Sequence, residues 1–127
     1  MRTHLLRDLP IAGKTAALEL LPEFDFYRLG RVTRFSFEQD ESGQFADIFL
    51  TATYSDSAHN FDVTIKFGGC RRAKVPEFAP LLHLAELEIE DIRKDQLENI
   101  QYKAKCYGNT DFEILSNNIA ITNIERR

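Results

Sequence analysis

Five consecutive residues, Gly68-Gly69-Cys70-Arg71-Arg72, bring the most reactive combination of groups in the sequence together. Two glycines allow backbone N–H groups to converge on a carboxylate or phosphate, and two guanidinium groups would add charge. The same cations could lower the pKa of the thiol and make it a nucleophile. No base adjoins the stretch, and glycines also permit a bend or bulge at the end of a strand. We therefore interpret it mainly as a bend, with a weak anion contact through Gly68, Gly69, Arg71 and Arg72 as the alternative.

A second set of charged residues has the spacing of a paired strand face. Glu86, Glu88 and Glu90 alternate along one predicted strand, and Lys103 and Lys105 alternate along the next. In a hairpin these rows lie side by side, where each opposed pair contributes about 0.2–1 kcal/mol. The carboxylate row therefore needs no catalytic explanation, since exposed strand carboxylates seldom have the separated pKa values that acid–base catalysis requires.

The end of this hairpin carries acidic residues, three of which, Asp91, Asp95 and Glu98, lie away from the two lysines. Glu90, Asp91, Asp95 and Glu98 lie at or beyond the end of the first strand. Charges at such a rim act mainly on the rate of association. We predict that these four residues form a binding surface for a basic protein partner, and a solvated turn is the alternative.

No catalytic residue, metal site or cofactor is predicted elsewhere in the chain. The sequence has neither a GxSxG nor an HExxH motif, and its three histidines are scattered. The pairing of Cys70 with Cys106 is left open, although the cytoplasmic location expected for this chain disfavours a disulfide.

Hydrophobic patterning predicts the elements that must position these groups. Good helix formers followed by Pro22 predict a short helix over residues 14–21. Apolar residues on both faces of residues 45–54 predict a strand that is covered on both sides. Period-two alternation and turn residues together predict seven strands, within residues 24–38 and at 45–54, 61–67, 84–90, 99–107, 111–115 and 118–124.

These elements predict a mainly β fold, with a single antiparallel domain of about seven strands over residues 1–127. Its N-terminal segment, 1–30, would be partly helical, and the β domain would span 31–124. Short connections, including a tight reversal at Asn117-Asn118, favour antiparallel pairing of neighbours. A two-layer sandwich and a curved half-barrel both agree with the pattern. An open edge strand could pair with its twin in a homo-oligomer, and 118–124 is a candidate for an edge or an interior strand.

Composition excludes several classes of protein. The 127 residues carry a net charge of −4, which argues against a nucleic-acid binder with a broad basic face. No apolar run is long enough to span a membrane. The N-terminal apolar stretch is interrupted by Asp8, Pro10 and Lys14, so we expect no secretory signal and a cytoplasmic location.

The order of the segments FDVTIKFGGC, LAELEIEDI, QLENIQYKAKCY and NIAITNI resembles that of small uncharacterised bacterial β domains. In those domains a strand ending in Phe-x-Gly precedes a Leu-x-Ile-x-Asp-Ile segment, a Glu-containing turn, a Tyr-bearing strand and a terminal alternating strand. Some of them are similar to immunity proteins of polymorphic toxin systems. The resemblance covers residues 61–124, implies a small bacterial β domain, and brings no catalytic residue with it.

These observations lead to two hypotheses for the function of the protein, which belong to different classes. The first is a non-enzymatic protein-binding module, such as an immunity protein, because no reactive constellation is found and the hairpin end is acidic. The second is a small-molecule-binding or catalytic β domain with an aromatic-lined cavity. A deep cavity lined by Tyr102, Phe35 and charged groups would favour the second function, and a filled interior would favour the first.

Overall fold

The computed structural model of the protein describes residues 3–4, 9–39, 41, 45–55, 60–74, 87–93, 100–106 and 109–126. Those residues form one α-helix, one 3₁₀ turn and nine strands. The helix α1 is Lys14–Leu20, and the 3₁₀ turn is Phe26–Arg28. The strands are β1 Thr3–His4, β2 Leu29–Gln39, β3 Ala46–Ser55, β4 Asn60–Cys70, β5 Arg72–Lys74, β6 Leu87–Asp91, β7 Tyr102–Cys106, β8 Asn109–Ser116 and β9 Asn118–Arg126.

The strands form two antiparallel sheets, which confirms the predicted mainly β, antiparallel fold. The four-stranded sheet has the order β2-β3-β4-β9, and the five-stranded sheet has the order β1-β6-β7-β8-β5. Inward side chains of both sheets, including Leu50, Phe67, Ile89 and Ile114, belong to one buried cluster. The two sheets are therefore the layers of a sandwich, one of the two architectures that the sequence left open.

Helix α1 ends where the sequence predicts. The last helical hydrogen bond runs from the Leu21 N–H to the Ala17 carbonyl at 2.8 Å, and Pro22 has no N–H with which to continue the ladder. Ala17 and Leu21, four residues apart on one helix face, are fully buried. Among the described residues, no helix combines the length and apolarity needed to cross a membrane.

Strand β3 lies between β2 and β4, but the expectation that both of its faces are covered is wrong. Ile48, Leu50, Ala52 and Tyr54 are buried, whereas the alternate residues from Asp47 to Thr53 are only partly buried. On that outer face the Lys66 ammonium lies over Phe49, 5.9 Å from the centroid of its ring. This contact with a lysine side chain places an aromatic residue on the outer face of the sheet without a second layer over it in the described residues.

The expected pairing of residues 111–115 with 118–124 is also wrong. Strands β8 and β9 are separated by Asn117 alone, yet they belong to different sheets. A short connection gives a hairpin only when both strands continue in one sheet, and here the chain passes from one layer to the other. Strand β9 is an edge strand, one of the two positions left open for it, and its Ile121 N–H donates to the Ala12 carbonyl at 2.8 Å.

The hairpin predicted from the charged rows is confirmed. Strands β6 and β7 pair antiparallel, with Glu88 opposite Lys105 and Glu90 opposite Lys103. Between the two strands, residues 94–99 lie outside the described part of the chain.

Candidate functional site

The Gly68–Gly69 pair forms a bulge, as the bend interpretation expected. Both glycines oppose the single residue Asp47 of β3, and Gly69 has a positive φ of 60°. The Gly69 N–H donates to the Asp47 carboxylate at 3.1 Å, and the Lys66 ammonium lies 3.7 Å from the same carboxylate. The anion that this backbone amide binds in the structure is therefore a side chain of the same protein.

At Asn117, between β8 and β9, the chain passes from one sheet to the other. Close packing of the two glycines against this connection explains why both positions are glycine. The Gly68 carbonyl accepts a 3.0 Å hydrogen bond from the Asn117 N–H. A Cβ at Gly68 would collide with the Asn118 amide, and one at Gly69 would lie 3.0 Å from the Asn117 Cβ. The chain therefore crosses between the sheets at Arg71 and at Asn117, and the two crossings are in contact.

For the two arginines of the stretch, the structure describes backbone pairing and one contact with an aromatic ring. The Arg71 N–H donates to the Leu115 carbonyl at 3.1 Å, and its guanidinium lies 5.9 Å from the centroid of the Phe45 ring. Arg72 begins β5 opposite Leu115, and its side chain lies outside the description. The contact of Gly68, Gly69, Arg71 and Arg72 with an external anion stays a prediction.

Beside this crossing, an apolar groove of about 320 Å³ opens between the two sheets. Phe35 and Phe37 of β2 face inward, opposite Leu50 and Ile48, but Phe37 remains 64% exposed. The described residues that line this β2 groove are Phe35, Phe37, Ala46, Ile48, Cys70, Arg71 and Ala73. Sequence reasoning missed the groove because alternation identifies inward residues without showing which of them the other sheet covers.

The cavity expected for the small-molecule hypothesis is not formed by the residues named for it. Tyr102 is only 4% exposed and belongs to the core cluster, and it is not among the described residues that line the β2 groove. Phe35 lies in that groove. Phe35 also packs against the core cluster to which Tyr102 belongs, but only Phe35 is among the described residues that line the β2 groove.

Cys70 is a free thiol that is buried at the inner side of the groove. Its Sγ donates to the Phe67 carbonyl at 3.0 Å. Burial raises the pKa of the thiol from 9.0 to about 12, which outweighs the lowering effect of a backbone hydrogen bond at Ile48. The thiol is therefore neutral at physiological pH, and the alternative of an activated thiolate is wrong. The disulfide with Cys106 is likewise not formed.

This thiol should make the stability of the fold depend on alkaline pH. A group whose pKa is higher in the folded than in the unfolded chain stabilises the fold below its unfolded pKa, and this contribution disappears as pH rises through the folded pKa. We expect the free energy of unfolding to fall between pH 9 and about 12, and Cys70→Ala to flatten that fall. Urea unfolding of both proteins across this range measures the difference, and equal slopes would refute the assignment.

At the hairpin end, the two described carboxylates are occupied by cations of the chain. The Lys105 ammonium lies 3.5 Å from Glu90, and Arg93 Nε donates to both carboxylate oxygens of Asp91 at 3.0 and 2.9 Å. The Arg93 backbone N–H also donates to Asp91 at 3.0 Å. Lys103 instead approaches Glu113 of β8 at 3.5 Å. Sequence reasoning missed Arg93, although a cation two residues beyond an aspartate at a strand end is a local signal.

The remaining predicted partner-binding residues, Asp95 and Glu98, lie outside the described residues, so the four-residue acidic surface stays a prediction. The side chains of Glu90 and Asp91 are 13% and 16% exposed, which leaves little of either carboxylate for a partner. Within the described ranges, no three His, Cys, Asp or Glu side chains are grouped so that they could hold a metal ion.

The fold defines a small antiparallel β-sandwich protein, in which the charged groups described above lie on strand faces and at strand ends. The family model of immunity protein PIM8 matches residues 17–119, which is most of the chain. The chain therefore belongs to the family of immunity protein PIM8. The match confirms the resemblance to immunity proteins and extends it towards the N-terminus, beyond the segment that carried it. No curated protein and no solved structure matches the chain.

Proposed function

We propose that this protein binds a protein toxin and holds it inactive in a stoichiometric complex, without chemistry of its own. The observation that carries the proposal is the match to an immunity-protein family over residues 17–119. We weigh occlusion of the toxin against an enzymatic reaction that inactivates it.

The state of the described reactive groups favours occlusion. A catalytic site brings a nucleophile, a base and a stabilising group together in a cleft, with pKa values matched to their roles. Here the Cys70 thiol is buried and neutral, the Asp91 carboxylate is held by Arg93, and Glu90 is paired with Lys105. Each of these groups forms a hydrogen bond or an ion pair with another group of the same protein, as expected for a structural role.

We place the toxin contact at the hairpin end, with a basic surface of the toxin as its partner. The net charge of −4 favours approach of a cationic protein, since the summed field of a protein steers its partners. Because Glu90 and Asp91 are paired with cations, Asp95 and Glu98 become the residues on which this electrostatic contact mainly depends.

The test requires the cognate toxin, and a toxin domain encoded in a gene adjacent to this one would be the candidate. Its expression should arrest the growth of a bacterial host, and co-expression of the protein should restore growth. Purified toxin should lose activity in proportion to added protein, with an endpoint at about one to one, and both proteins should elute together in size-exclusion chromatography. Complete inactivation at a small fraction of equimolar protein would indicate an enzyme, and the absence of a complex would refute the proposal.

A further inference from the structure

The outer edge of β2 is an exposed strand edge in the described part of the chain. Strand β2 is the first strand of the four-stranded sheet, and no described strand pairs with its outer side. From Ser36 to Gln39 all four residues are exposed, as are Arg34 and Thr33. Such an edge presents backbone N–H and C=O groups that can pair with another strand.

Only one part of this edge is regular enough to accept a strand. Between Leu29 and Arg34 the pairing of β2 with β3 contains two register shifts. From Arg34 to Gln39 the two strands then pair residue by residue. Bulges protect an edge by twisting it out of register, and this protection is confined to the first part of β2.

The regular part is self-complementary about Ser36. In antiparallel pairing around a two-fold axis at this residue, Arg34 of one copy lies opposite Glu38 of the other, and the same pair recurs by symmetry. Phe35 lies opposite Phe37 in the same way. We propose that two copies of this chain associate through this segment of β2, joining their four-stranded sheets into one sheet of eight strands.

The faces of the sheet agree with this register. Arg34, Ser36 and Glu38 alternate with the inward residues and lie on the outer face, where the opposite charges of two copies would meet. On the inner face, Phe37 is 64% exposed in one copy and would be covered by Phe35 of the second. A shift of two residues in either direction separates Arg34 from Glu38, so charge pairing selects one register.

Charge variants test the pairing through the sedimentation of the protein alone over a range of concentrations. Arg34→Glu or Glu38→Arg places like charges opposite each other at two symmetric positions, so each change should weaken dimerisation by about tenfold or more. The combined swap Arg34→Glu/Glu38→Arg restores opposite charges and should restore most of the affinity. Arg126→Glu is the matched control, because Arg126 is an exposed arginine on β9, at the opposite edge of the same sheet, and the change should have no effect.

A cysteine cross-link tests the register itself. With Ser36→Cys, two thiols face each other across the two-fold axis, and a mild oxidant should link the copies covalently. Thr33→Cys should not link, because its partner position is Gln39 of the second copy. A protein that stays monomeric at about 100 µM, a swap that fails to rescue, or equal cross-linking of both cysteine variants would each overturn the proposal.

Discussion

Replacing Phe67 by alanine is expected to lower the free energy of unfolding by about 3–5 kcal/mol. Phe67 is fully buried on β4, where it lies opposite Ile48 of β3 and Ile119 of β9. Strand β4 is paired with a strand on each side, so the space left by the ring cannot close by a small movement of one strand. A domain of this size is stable by about 5–15 kcal/mol, so the loss is a large fraction of the total.

The matched control is Phe37→Ala, which removes the same atoms from a side chain that is 64% exposed. Its effect should stay within about 0.5 kcal/mol when it is measured at a concentration that keeps the protein monomeric. Urea unfolding of the three proteins gives both values, and an unchanged denaturant slope ensures that only stability has changed. Equal losses from the two substitutions would show that burial between the sheets is not what stabilises the fold.

The charge reversal Asp95→Lys/Glu98→Lys is expected to slow association with the toxin by about tenfold, and to flatten the dependence of the association rate on salt. Opposite charges accelerate the encounter of two proteins over a distance set by the Debye length, and they affect the dissociation of the formed complex much less. Stopped-flow or surface-binding kinetics at several salt concentrations separate the two rates. The free energy of unfolding should change little.

A control variant with the same change in net charge shows whether the position of the reversed charges affects the association rate. Glu19→Lys/Glu125→Lys also takes the net charge from −4 to zero, with exposed residues on α1 and on β9. We expect it to slow association less than the reversal at the hairpin end. If both double variants are slowed equally, the toxin responds to net charge alone, and the hairpin end is not its docking surface.

The elements that could be predicted are those whose signal lies within a few neighbouring residues. Pro22 ends the helix one residue after Leu21, and alternation locates each of the seven longer strands to within a few residues. The β6–β7 hairpin followed from two rows of opposite charge at the spacing of facing strands. Strands β1 and β5, of two and three residues, are too short for alternation to indicate them.

The sequence by itself thus determined which segments form the seven longer strands, which face of most of them is apolar, and that Gly68–Gly69 interrupts a strand. Only the tertiary structure decided which sheet each strand joins, because that depends on contacts between residues far apart in the chain. The Asp47 carboxylate reaches the Gly69 amide across 22 positions, and β9 leaves its neighbour β8 to pair with β4. Long-range contacts also decide how exposed each inward side chain is. Phe37 and Phe67 both follow the alternation of an inward residue, but only Phe67 belongs to the buried cluster between the two sheets, whereas Phe37 stays exposed.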